Sequence, residues 1–288
     1  MAVTAAQAIA NYKANHNVAA QQVDDTAANL LANLSGLKTL QSVSKLASVT
    51  LIGTGNTVTA AQAASLAALK KFTVKSGAAL VVADSAANLL AATNSTGVAK
   101  ATTVQLTGTA NMVTAAQATT LAGKPHFALA AGATLTVVDT AINLLAPGNS
   151  TGIAKATTVD LTGTTNTVSA NQADTLAAMK NFALASGATL VVADSATNLL
   201  SLSNTTGLAK ATTVDLSGTS NTVSASQADT LATMKNFALA SGATLVVADS
   251  ATNLLSSSNI TGLAKATTVD LTGTTNTVSA SQADTLAA

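Results

Sequence analysis

Aspartate recurs at fixed phase along this chain and is the first residue type to question for chemistry. Asp160, Asp215 and Asp270 stand 55 residues apart, each inside a T-T-V-D-L segment, with Gln105 and Thr50 at the same phase in earlier copies. On neighbouring strands, such a row could hold Ca²⁺ through carboxylate oxygens. Calcium takes about six to eight oxygens, and one carboxylate per coil supplies too few, so the three are weak metal candidates. Two strands apart, carboxylates lie about 9.6 Å from each other. They then repel by only about 0.4 kcal/mol in water. A solvated row needs no counter-ion. Calcium is the one cofactor the pattern suggests, and a solvated row is the preferred reading.

The other charged rows read as structural. Asp84, Asp139, Asp194 and Asp249 end an apolar run and precede a short helical stretch, where they cap. Asp174, Asp229 and Asp284 fall in a first helical turn, which the helix dipole favours. Lys45, Lys100, Lys155, Lys210 and Lys265 precede a strand by a few residues, where they offset the acidic rows and discourage lateral aggregation.

Catalysis has little to draw on. His16 and His126 are the only histidines and occupy unrelated phases, and there is no cysteine. The 20 residues Asn181 to Leu200 recur identically as Asn236 to Leu255, so any active site there would be copied too. The expectation is a protein that is not an enzyme, with no catalytic residue and no bound cofactor. Two ligand readings compete with a purely structural one. Asn94-Ser95-Thr96, Asn149-Ser150-Thr151, Asn204-Thr205-Thr206 and Asn259-Ile260-Thr261 match the N-glycosylation acceptor pattern, though asparagine-led turns explain them equally. Threonines around each strand, such as Thr157, Thr158, Thr162, Thr164 and Thr165, could present a regular face to a glycan or to ice. The outward Asp row argues against a clean ice-binding face.

Composition narrows the classes further. Charged residues are 9% of the chain, every acid is Asp, every base is Lys, and the net charge is +1. Without arginine, stacked aromatics or a basic stripe, no nucleic-acid partner is expected. No run of about 18 apolar residues exists, so no membrane insertion is expected. The N-terminus lacks the charged and apolar regions of a cleavable signal, which would place any export signal elsewhere. Apolar residues are 48% but aromatics only 2%, so Ala, Val and Leu must build the core in thin, regular layers.

The elements that position these rows come from an internal repeat. The segment T-V-[ST]-A-x-Q-A places valine at 58, 113, 168, 223 and 278, with Val3 in the same series. Phe72, Phe127, Phe182 and Phe237 keep the step, as do Gly53, Gly108, Gly163, Gly218 and Gly273. Each copy reads as two strand–helix units. T-T-V-D-L alternates as a strand. Gly163 supports a turn, and Ser169 with Gln172 has the capping-box spacing that starts a helix ending near Phe182. The same pair recurs at Thr4/Gln7, Thr59/Gln62, Thr114/Gln117, Ser224/Gln227 and Ser279/Gln282. A second strand, 188–193, runs into Asp194-Ser195 and a short helix, and a polar loop at 204–207 leads to the next copy.

This order predicts an α/β solenoid of stacked parallel strand–helix units, two per 55-residue repeat. About ten strands at about 4.8 Å would make one sheet about 48 Å long. Val159, Leu161, Leu190 and Val192 would face the helices, and the phenylalanines would plug one spot per repeat. A parallel β-helix is the architectural rival, which the alternation of strand and cap signals disfavours. Residues 1–48 diverge, carry Tyr12 and His16, and read as a largely helical capping repeat. Residues 49–288 form the tandem array. It stops inside a helix, which suggests a longer array or a covering subunit.

The run V-x-D-[ST]-A-x-N-L-L, then T-V-x-L-T, then T-V-[ST]-A-x-Q-A, resembles the repeat region of large bacterial cell-surface and type I-secreted proteins of the adhesin-like, hemolysin-like and S-layer-like kinds. The resemblance covers essentially the whole chain. It implies export without an N-terminal signal, a secretion signal at a distant C-terminus and a role outside the cell or at its surface. The calcium-binding glycine–aspartate nonapeptide of many such proteins is missing here. The function expected is structural: self-assembly as a homo-oligomer or polymer, into a surface layer, filament or adhesin stalk. A ligand-binding solenoid for glycan or ice is the alternative.

Overall fold

The computed structural model describes residues 1–287. It divides into two compact units, one of Met1–Val137 with Gly148–Thr157, the other of Val138–Pro147 with the chain from Thr158 onward. Both are built from the same short pieces, and among the described residues the paired strands run parallel in five sheets of three or four strands each.

One repeat of the second unit shows how the sequence makes these pieces. Strand Thr158–Leu161 alternates half-buried and buried residues, with Val159 and Leu161 fully inside. The chain turns through Gly163, whose φ of 90° lies where a side chain is disfavoured. It then forms strand Asn166–Val168. Helix Ala170–Ala177 follows, started by a complete capping box of Ser169 and Gln172. It buries Ala170, Ala173 and Leu176 on the core side. A two-residue strand, Ala183–Leu184, precedes strand Leu190–Asp194. Ser195 then caps helix Ala196–Leu199. A 3₁₀ turn at Leu202–Asn204 runs into helix Thr205–Lys210.

The expected helix starts, the buried faces of the two longer strands and the buried phenylalanines are all present. Phe72, Phe127, Phe182 and Phe237 are 4–6% exposed. Three expectations need correction. The capping-box helix ends at Ala177, not near Phe182, because Asn181 adopts a left-handed φ of 50° that no helix continues through. The stretch 204–207 is not a loop; Gly207 lies inside a helix. And the strands do not join one long sheet. In the first unit, Asn56–Val58, Leu80–Asp84, Thr103–Leu106 and Ala128–Leu129 form one four-stranded sheet in that order, separate from the three-stranded sheet of Gln21–Asp25, Leu46–Leu51 and Thr73–Val74. In the second unit, Asn166–Val168, Leu190–Asp194, Thr213–Leu216 and Ala238–Leu239 repeat the four-stranded pattern. The turn glycine explains the break. It divides the outgoing chain into two strands, and the second half joins a different sheet.

Glycine also sets the spacing between helices. A Cβ on Gly97 would come 2.1 Å from the Ala64 nitrogen, and one on Gly207 would come 2.2 Å from that of Asp174. Gly152 and Gly262 are equally crowded, against Thr119 and Asp229. Each copy therefore needs a residue without a side chain here. Residues 1–48 carry Val3, helix Ala5–Ala14, strand Gln21–Asp25 and helices Ala27–Ala32 and Leu34–Ser42.

Candidate functional site

The residues with most hydrogen-bonding capacity converge on one recurring place, where a strand end meets the start of the preceding helix. Asn56, Asn111, Asn166 and Asn221 are 4–5% exposed. The Asn166 carboxamide oxygen accepts from the backbone N–H of Ala141, the first residue of a short helix, at 2.9 Å. Its Nδ2 donates to the carbonyls of Thr162, Gly163 and Thr189 at 2.9–3.0 Å. Asn56 does the same with Ala27 and with the carbonyls of Ile52, Gly53 and Ala79. One buried side chain thus ties a turn, a strand start and a neighbouring helix together.

Aspartate performs the alternate step. Asp194 Oδ2 accepts from the N–H of Ala170, which opens the capping-box helix 24 residues earlier, at 3.0 Å. Its Oδ1 accepts from Ser195 N at 2.8 Å and from Asn198 Nδ2 at 2.7 Å. Asp84 makes the same three contacts with Ala60, Ser85 and Asn88. Asp249 makes them with Ala225, Ser250 and Asn253. The Asn253 amide, together with the N–H groups of Ala225 and Ser250, holds the Asp249 carboxyl below its ordinary value against the opposing effect of burial. The capping expected of this row is present. Its main target was not legible: the carboxylate closes the helix of the preceding half-repeat, while Ser195 caps its own. Asp25 fits the pattern although it sits four residues out of phase, accepting from Ala5 N at a separation of 20 residues rather than 24. The next link, Ala27 to Asn56, spans 29 residues rather than 25 and restores the register.

The outward row is less sociable. Asp215 pairs with Ala193 on one side and Ala238 on the other. Asp270 lies beside Ala248 and Asp160 beside Ala183. Asp215 and Asp270 belong to different sheets, so these two carboxylates do not form the imagined ladder. Among the described residues, no group of three or more His or Asp side chains could hold a metal ion. Asp174 and Asp229 are the fifth residues of their helices, beyond the first turn expected of them, and accept instead from the Gly207 and Gly262 amides at 3.0 and 3.2 Å, a tie at the close helix crossing.

The lysine row lies at the N-terminal ends of parallel strands, whereas the Asp194 row lies at their C-terminal ends. His16 and His126 are both exposed; His16 meets the Tyr12 ring in a tilted contact, centroids 4.7 Å apart, and His126 occupies a left-handed turn position.

The ligand readings meet a similar test. Asn94, Asn204 and Asn259 are 6–9% exposed, and their Nδ2 atoms donate to the Asn88, Asn198 and Asn253 carbonyls at 2.9–3.0 Å. In the folded chain those three amides are closed to glycosylation. Several of the strand-flanking threonines are engaged as well. The Thr212 hydroxyl accepts from Leu190 N and donates to Leu190 O, and Thr189 donates to Thr164 O. An apolar cleft of about 370 Å³ in the second unit is lined by Leu199, Leu202, Leu208, Val214 and Met234, with Leu202 88% exposed. Among the described residues, no helix is long and apolar enough to cross a membrane.

No protein-family model matches the chain, and a comparison with curated proteins finds no match either.

Proposed function

We propose that this is a non-enzymatic extracellular structural protein whose stacked strand–helix units extend as a solenoid and whose copies associate into a layer, filament or adhesin stalk. The observation that supports it is the recurring hub. The buried Asn and half-buried Asp side chains complete the helix of the adjacent half-repeat, so what the sequence copies is a joint between units. A chain made of joints gains length with each copy. Placement outside the cell rests on the resemblance of the repeat motif to bacterial surface proteins. Small-angle scattering tests extension: a rod-like profile is expected, and a compact sphere would refute the solenoid. Light scattering and electron microscopy test assembly, and a strictly monomeric protein at high concentration would refute it.

The half-exposed Asp160 and Asp215, each beside alanine, favour one second reading, a glycan-binding outward face. Replacing Asp160, Asp215 and Asp270 by Ala should then abolish ligand retention while leaving assembly intact. Under the structural reading the parent protein retains nothing on a glycan array.

A further inference from the structure

Two kinds of hub recur along the chain, and only one of them carries an ionisable side chain. The first amide of the helix is held by Asp84 at Ala60, by Asp194 at Ala170 and by Asp249 at Ala225. It is held by Asn111 at Ala86, by Asn166 at Ala141 and by Asn221 at Ala196. The two hubs are chemically opposite. The Asp249 carboxylate accepts from three N–H groups, which suits a group that only accepts. The Asn carboxamide faces one donor and three carbonyl acceptors. A proton added to the carboxylate would remove the charge that these N–H groups are aimed at and place an O–H among them. The Asn hubs carry no titratable group.

We propose that the Asp249 joint is acid-responsive: protonation of its carboxylate releases the first amide of helix Ala225–Ala232, while the asparagine joints stay closed.

The neighbours of these carboxylates do not supply a positive charge to prevent it. Around Asp84, the segments Asn56–Val58, Ala60–Ala67, Ala86–Leu90 and Thr103–Leu106 contain no charged side chain. The elements against Asp194 carry only Asp174 and Asp215, and those against Asp249 only Asp229 and Asp270. Asp25 differs, with Lys13 on the helix it caps and Asp24 beside it. The Asp249 carboxyl lies below its usual value when folded, so its contribution is complete above the ordinary carboxylate range, about pH 4, and is lost as pH falls through the folded value.

Residue-resolved amide exchange on the full chain tests this. Protection of Ala225 is compared with that of Ala86 and Ala196 at pH 7 and at about pH 2.5. On acidification the Ala225 amide should lose about tenfold or more in protection relative to the Asn-held ones. Asp249→Asn mimics the protonated hub, so in that variant Ala225 should already be open at pH 7 and should not respond to acid, while Ala196 stays closed. Equal loss at both classes, as in global unfolding, would overturn the proposal, as would unchanged protection at Ala225. If Asp249→Asn does not fold, the comparison within the parent protein still decides.

Discussion

At the scale of single residues, stability concentrates where one side chain serves several backbones. Removing the Asn166 carboxamide would leave the Ala141 N–H and the Thr189 carbonyl without their partner. Asn166→Ala should therefore cost about 3 kcal/mol in a urea titration. Asn166→Asp should cost at least as much, because its second oxygen would face carbonyls. Gly207 is equally intolerant: a methyl group 2.2 Å from the Asp174 nitrogen cannot be absorbed by a rotamer. Gly207→Ala should lower stability by about 3 kcal/mol, against little change for Gly148→Ala, whose Cβ meets nothing within 4 Å. The opposite sign is expected at Lys71. Its φ of 53° is left-handed, and Asn stands at the equivalent sites 181 and 236 with φ of 50°. Lys71→Asn should raise the urea midpoint by an amount equivalent to about 0.5 kcal/mol.

At the scale of elements, legibility followed the range of the interaction. Capping boxes lie within four residues, so Thr59 and Gln62 announced their helix correctly. Thr59→Ala should cost about 1 kcal/mol, readable as a lower thermal midpoint. The alternation of Val159 and Leu161 likewise marked a buried strand face. What local pattern could not mark were strands made by their partners. Asn166–Val168 and Ala183–Leu184 are two or three residues long and exist through pairing with Leu190–Asp194 and Thr158–Leu161. Helix Thr205–Lys210 was hidden by Thr and Gly, poor helix formers, because its stability comes from the close crossing at Gly207. The hubs failed to show for the same reason: Asp194 looks like an ordinary cap until its partner 24 residues back is known. The four-stranded sheets also end on short strands, such as Asn56–Val58 and Ala128–Leu129, which offer few free backbone groups to another chain.

At the scale of the whole molecule, the repeat should behave as a removable part. Excising residues 166–220 joins Thr165 to Asn221 in phase and preserves a hub at the seam. The shortened protein should keep its circular dichroism per residue and melt cooperatively. A loss of secondary structure beyond the deleted share would show that the copies are not interchangeable. The first copy makes the same point. Its early shortfall of four residues and the later excess cancel between Asp25 and Asn56, so hub geometry is kept while loop length drifts.

The direction of the hubs has a consequence for synthesis. Each helix closed by a hub receives the acceptor for its first amide from a residue 20 to 29 positions further along the chain. On the ribosome, a helix that has just emerged must therefore wait with an open start until the following turn is translated. The nascent array matures one step behind its own growing tip, and a pause in translation leaves a single helix incomplete while everything before it is already sealed.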